Sequence, residues 1–247
     1  MKHSQEKGSK IAKDGFQNEK DIIQKFNNWK YDTIAQEWLN DMGYEIKKIE
    51  KVIAIKIPVG HKADIQVQIS IFLADVIESQ NIQLKLVSNT SGFNQIDRRW
   101  ISKCEEQWNM PFEVAIVFRY FTGEYPPYLK NSKSRKRMFM TEFSTNEQNI
   151  VLDWIRDNKT LIVSGLLKGR GKFASEWMLV TQKTQANTIW VLKPMNFCLN
   201  FFGNGDVIIT PKGSIQIGKI GVQRKGGDGG RPSANQLQFK INPALLL

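Results

Sequence analysis

Three side chains in one stretch of alternating residues have the makings of hydrolytic chemistry: Asp64, Gln83 and Lys85. Polar and apolar residues alternate over 64–71 (Asp-Ile-Gln-Val-Gln-Ile-Ser-Ile), and the alternation resumes over 81–86 (Asn-Ile-Gln-Leu-Lys-Leu) after a turn near 75–80. Period two means strands, with successive side chains on opposite faces. Ile65, Val67, Ile69 and Ile71 then face a core together with Ile82, Leu84 and Leu86, while Asp64, Gln83 and Lys85 emerge on the other side. A carboxylate and an amide oxygen are hard ligands for a divalent cation. An ammonium on the same face can orient a water or offset charge developing on a phosphate. The same alternation is also what any half-buried antiparallel hairpin shows, its outer face simply solvated.

The rest of the chain must supply a scaffold and a partner surface. A length of 247 residues suits one large α/β domain or two small ones, and 41% hydrophobic content builds a real core and excludes a disordered chain. The net charge of +11 is spread in clusters and calls for an anionic partner, a nucleic-acid backbone ahead of an anionic membrane. The first residues, Met-Lys-His-Ser-Gln-Glu-Lys, lack an apolar targeting core and no stretch approaches a membrane span, so a cytoplasmic protein is expected. Cys104 and Cys198 stand far apart without Cys-x-x-Cys spacing; neither a disulfide framework nor a zinc site is indicated, and both read as small packing residues.

In chain order, polar residues through about residue 10 are expected to be frayed, and a helix follows from Gly15 to about Trp29 with Phe16, Ile23, Phe26 and, less squarely, Ile22 on its apolar stripe. Glu19 lies along the buried side of that stripe, though an acidic residue in a first turn is also what the helix dipole favours. A second helix spans roughly 33–42 and ends at Gly43. A strand over 49–57 then leads through Pro58 and Gly60 into the central hairpin. After a loop at 89–92, Asn94 caps a helix to about Trp108, with Ile96, Trp100, Cys104 and Trp108 at every fourth residue. Residues 112–121 are apolar and fit a helix or a strand. A capping box at Ser144 and Glu147 opens a helix with Ile150, Val151, Trp154 and Ile155 inward. The C-terminal part reads as strands at 176–181, 188–192, 207–210, 214–217, 220–225 and 236–241, with a short helix around 195–202.

Several clusters suit DNA. Phe93 follows a loop and precedes Asn94, Gln95, Arg98 and Arg99; apolar wedges enter base steps and amides read base edges, although Phe93 also fits an ordinary staple before a helix. The basic run 130–137 suits phosphates or a solvated loop. Lys168-Gly-Arg-Gly-Lys172 has the look of a phosphate cradle but lacks the spacing of a nucleotide-binding loop. Gln223, Arg224, Lys225, Arg231, Asn235 and Gln238 lie near glycine-rich turns, including 226–231, where a backbone can approach a duplex.

An Asp followed about a hairpin later by (Asp/Glu)-x-Lys marks the PD-(D/E)XK nuclease superfamily, and Gln83-Leu84-Lys85 resembles its Gln-x-Lys variant. The likeness extends through residues 12–21, 83–89, 92–97, 137–143 and 222–228, and on these the chain resembles the HinP-type restriction endonucleases, cutters of the palindrome GCGC. The resemblance implies an α/β fold with a restriction-endonuclease-like mixed sheet flanked by helices and a β-rich C-terminal part. One domain is expected, with a catalytic core at about 12–125 and a DNA-recognition part at about 126–247. It implies a type II enzyme that makes Mg²⁺-dependent double-strand cuts, with Asp64, Gln83 and the Leu84 carbonyl at the metal, Lys85 at the attacking water and Glu19 reaching the metal directly or through water. For a site of G·C pairs, Arg224 or Arg231 would contact guanine, with Gln223 and Gln238 in support. Ala63 stands where relatives often have Ser or Pro. Double-stranded DNA, a companion methyltransferase and a possible homodimer follow as partners. A DNA-binding protein without catalysis and a sequence-independent repair nuclease are the competing readings.

Overall fold

The structure, a computed structural model, describes residues 2–58, 60–71, 76–184, 187–226 and 231–247. Its elements in chain order begin with α1 (Lys2–Asn27), α2 (Thr33–Asp41), β1 (Ile49–Lys56), β2 (Ile65–Ile71), β3 (Val76–Val87), β4 (Asn94–Arg99), α3 (Ile101–Trp108) and α4 (Phe112–Thr122). They continue with α5 (Thr145–Asp157), α6 (Lys159–Leu167), β5 (Trp177–Lys183), β6 (Thr188–Pro194), α7 (Met195–Gly203), β7 (Val207–Ile209), β8 (Ile215–Ile217), β9 (Ile220–Arg224) and β10 (Leu237–Ile241). Two compact units divide the chain: Met1–Gly92, Leu167–Cys198 and Pro243–Leu247 make the first, Phe93–Leu166 and Leu199–Asn242 the second. Thus β5 and β6, far along the chain, belong with the N-terminal strands.

In the first unit a mixed sheet runs β1-β2-β3-β5-β6, antiparallel except for the parallel pair β3 and β5. The alternation of the hairpin sets the register, Ile65 opposite Ile82 and Ile71 opposite Val76. The expected turn at 75–80 is therefore corrected: pairing already begins at Val76, and 72–75 lie outside the described residues. Ile65, Val67, Ile69, Ile82 and Leu84 pack on Ile22, Phe26, Trp38 and Leu39 of α1 and α2. A fully buried Phe26 is the kind of residue whose truncation costs about 3–5 kcal/mol.

Helix α1 departs from expectation at both ends of the argument. It starts at Lys2, with no frayed first ten residues, and its buried stripe runs through Asn18, Ile22, Phe26 and Trp29. Phe16 is 53% exposed, under the Lys56 ammonium 4.7 Å from its ring centre. A helix stripe drifts with its 3.6-residue period, and the sheet takes the 18-22-26 row. Helix α2 begins as expected, with Asp32 as N-cap accepting from the Ala35 N–H at 3.0 Å.

The second unit holds an antiparallel sheet, β4-β10-β9-β8-β7. Here the expected helix from Asn94 is overturned: 94–99 form β4, paired with β10, and α3 starts only at Ile101. Trp100 sits at the N-cap in extended conformation and is 39% exposed, so the four-residue repeat breaks there. The segment 94–99 also alternates, with Ile96 inward, and the open edge of β10 decides between the two patterns. The ambiguous 112–121 stretch is α4, opened by Pro111 and closed by Gly123 at φ +86°. The capping box stands as expected, the Ser144 hydroxyl accepting from Glu147 N–H and the Glu147 carboxylate accepting from Ser144 N–H at 2.8 Å.

Candidate active site and nucleic-acid interface

Asp64 lies one residue before β2, beside the Ile65–Ile82 pair that closes the register with β3. Its backbone is tied on both sides, the N–H donating to Ile82 O at 2.9 Å and the carbonyl accepting from Ile57 N–H at 3.0 Å. Lys85, two residues beyond Gln83, shares its face of β3. The structure brings Asp64 within reach of the charges of Lys85 and of Glu19, and ties its carboxylate to the Leu84 N–H between Gln83 and Lys85.

The electrostatics of the group follow from burial. Desolvation pushes the Asp64 carboxyl above its ordinary value, against the pull of the Lys85 ammonium and of the Leu84 N–H, which donates to Oδ2 at 2.6 Å. Desolvation likewise draws the Lys85 ammonium down, against the opposing charges of Asp64 and Glu19. Glu19 thus acts on both groups from α1, while its own Oε2 lies 2.5 Å from Lys56 Nζ at the end of β1.

Gln83 is 2% exposed and its Oε1 is buried with no hydrogen-bond partner among the described residues. An orphaned acceptor of this kind costs about 1–3 kcal/mol, and a cation or an ordered donor would relieve it. The Asp64 carboxylate and this amide oxygen are the donor set a hard divalent ion takes, completed by waters and phosphate oxygens, so the residues present fit such an ion. Among the described residues no three His, Cys, Asp or Glu side chains cluster to hold a metal, as follows when an amide stands where a carboxylate is usual.

The sites expected to meet DNA lie in the second unit. Phe93 is 63% exposed immediately before β4, and Gln95 and Arg98 are exposed on it. An amide row crosses three strands: Gln238 donates to Gln95 Oε1 at 2.5 Å and accepts from Gln223 Nε2 at 3.1 Å. Asn94 starts the strand, partly buried, opposite Ile241. Other expected contacts are committed internally. Arg99 pairs with Asp97 at 2.6 Å, hydrogen-bonds Gln107 and stacks 4.4 Å over Trp108. Arg224 donates to Thr122 O at 2.6 Å and to Asn235 Oδ1 at 2.8 Å, and Asn235 donates in turn to Gly123 O at 2.7 Å. Lys225 is only 8% exposed. Arg231 is exposed before a short 3-10 turn (Pro232–Ala234), while residues 227–230 lie outside the described residues.

Two residues escaped the sequence reading. Asn81 shares the face of Gln83 two positions upstream, accepts from Gln66 Nε2 at 3.0 Å and donates to Lys172 O and Ala174 O at 3.0 and 3.1 Å. The alternation that exposed Gln83 would have exposed it. Arg137, at the end of the basic run, lies 4.0 Å over the Phe139 ring; burial and then the Arg224 charge pull it below its ordinary value. Its sequence signal was lost among neighbouring lysines.

Comparison with solved structures places this architecture among restriction endonucleases. The crystal structure of restriction endonuclease MspI in complex with its cognate DNA matches with a TM-score of 0.66 over 92% of this chain and 88% of that one, at 13% identity, a likeness of fold. No curated protein matches the sequence. The family model for the R.HinP1I restriction endonuclease matches residues 42–247, and the chain belongs to that family. It is a type II restriction enzyme, a site-specific nuclease that binds DNA. The matched span includes Asp64, Gln83 and Lys85 and leaves Glu19 outside. No described helix is long and apolar enough to cross a membrane.

Proposed function

We propose that the enzyme makes Mg²⁺-dependent double-strand cuts in DNA at GCGC, after the first G. The observation that carries the metal reading is the buried Oε1 of Gln83, without a hydrogen-bond partner among the described residues, one residue before the Leu84 N–H that holds the Asp64 carboxylate. Asp64, Gln83 Oε1 and the Leu84 carbonyl would hold the ion, which would supply an activated water and charge relief at the phosphate. Lys85 orients the attacking water and offsets charge on the phosphate oxygens. Glu19, whose charge acts on Asp64 and Lys85, would meet the metal directly or through water. Membership of the R.HinP1I family supports the GCGC site.

Phe93 wedges a base step, Asn94, Gln95, Gln223 and Gln238 meet base edges, and Arg98 and Arg231 supply cationic contacts. Arg99, Arg224, Lys225 and Asn235 brace the strands and turns that carry these readers. A companion methyltransferase protects the host's GCGC sites, and the palindrome is met by a homodimer or by successive nicks from one copy.

The test is end mapping on a plasmid bearing unmodified GCGC. With Mg²⁺, all ends fall after the first G, and EDTA or Asp64→Ala leaves the plasmid intact. Intact plasmid with Mg²⁺ and wild-type enzyme would overturn the catalytic reading, and ends scattered over sequence would overturn the specificity.

A further inference from the structure

We propose that the glycine-rich loop 168–173 is a phosphate clamp, a second contact with the duplex made by the unit that holds Asp64, gripping the sugar-phosphate backbone and reading no bases. The inference deepens the proposed function and rests on it.

The loop's charge is available. Arg170 and Lys172 are exposed, and among the described residues neither side chain has an acidic partner. Its backbone, by contrast, is fixed. Asn81 donates to the carbonyls of Lys172 and Ala174, the Ser175 N–H donates to Lys168 O at 2.8 Å, and the Ala174 N–H to Gly171 O at 3.0 Å. The next residue, Glu176, exchanges two bonds with the Asn81 backbone, its N–H donating to Asn81 O at 2.8 Å and its Oε2 accepting from Asn81 N–H at 2.9 Å. A charge run that is merely solvated needs no such anchoring. A loop whose backbone is already ordered loses less freedom when a phosphate arrives, which favours binding.

The anchoring also fixes the loop's address. Asn81 is two residues from Gln83 on the same strand face. The loop's other side lies on the segment that enters Asp64: the Phe173 ring meets His61 edge to face at 4.6 Å, and Gly169, at φ +78°, would bring a Cβ within 2.5 Å of the Lys62 side chain. Only glycine allows that approach with that backbone. Arg170 and Lys172 are thereby carried on a loop that rests both on β3, two residues before Gln83, and on the segment that leads into Asp64.

Phosphate contacts release counterions, so each one steepens the salt dependence of binding by about 0.9 in log K against log salt. The experiment measures binding of the full chain to a GCGC duplex and to an equal-length duplex lacking the site, in EDTA, across a salt series. Arg170→Ala and Lys172→Ala each flatten the slope by about one and the double variant by about two, equally on both duplexes, and Arg170→Lys and Lys172→Arg restore it. Glutamine replacements keep the comparison available where alanine lowers the melting temperature. Wild-type slopes in the double variant, or a loss confined to the GCGC duplex, would overturn the clamp while leaving the active site standing. A wild-type chain that binds neither duplex would overturn the proposed function and the clamp with it.

Discussion

The carboxylate of Asp64 reaches across the hairpin to the backbone of Leu84, whose N–H donates to Oδ2 at 2.6 Å. One oxygen is thereby used to hold the side chain in place, and the bond survives an amide at that position. Asp64→Asn is accordingly expected to keep the melting temperature within a few degrees while losing detectable cleavage, and to bind a GCGC duplex as the wild type does. Gel-shift titration and a cleavage time course check this together. Full cleavage by Asp64→Asn would remove the carboxylate from the chemistry.

Gln83, the residue before Leu84, buries an acceptor that has no donor among the described residues. Gln83→Glu adds a charge to the site and raises its appetite for cations. In the absence of DNA the variant is expected to bind Mn²⁺ about tenfold or more tighter, since each 1.4 kcal/mol is a factor of ten, as read by calorimetry. Without metal it is expected to melt lower than the wild type, because two buried carboxylates repel. Equal Mn²⁺ affinity in the two proteins would detach Gln83 from the metal.

Lys85 carries the other half of the chemistry. Lys85→Ala is expected to slow single-turnover cleavage by about 10²–10³-fold, the scale of a lost electrostatic contact in a transition state, with DNA affinity little changed. A loss of affinity that accounts for the whole effect would make Lys85 a binding residue only.

The strands of the hairpin were legible because their period of two is strict and their core face is apolar, but its turn was not, since the polar stretch before Asn81 already pairs from Val76 onward. The segment 94–108 misled because Ile96, Trp100, Cys104 and Trp108 satisfy a helical repeat as well as Ile96 alone satisfies a strand. The choice lay with β10, about 140 residues away in the chain. Arg99, Arg224 and Asn235 read as DNA contacts because residue type reports charge and not partner; Asp97, Thr122 and Gly123 claim them in the fold. Phe16 lost its place in the core to Ile22 for a related reason, since only the sheet fixes which row of a helix turns inward.

Asn81 offers a stability test of the polar side of the hairpin. Its side chain joins Gln66 to the backbone of 172 and 174 through three hydrogen bonds. Asn81→Leu leaves those part-buried groups to water and is expected to cost about 1–3 kcal/mol, the scale of one buried group stranded. Denaturant unfolding measures it, and a change under 1 kcal/mol would show that water replaces the amide.

Asp32 makes a pH prediction whose sign can be worked through. Burial alone would push its carboxyl up, but the Lys25 ammonium at 2.9 Å and the Ala35 N–H outweigh that and hold it below its ordinary value. A carboxyl depressed in the folded state stabilises the protein above its unfolded value of roughly 3.9 and gives that stability up as pH falls through the lower folded value. Asp32→Asn keeps the capping oxygen and removes only the charge. The variant should therefore melt below the wild type at pH 7, and the two should converge between about pH 4 and pH 2. A gap that stays constant over that range would mean that the Lys25 pair adds nothing to the fold, leaving the cap as the whole contribution of Asp32.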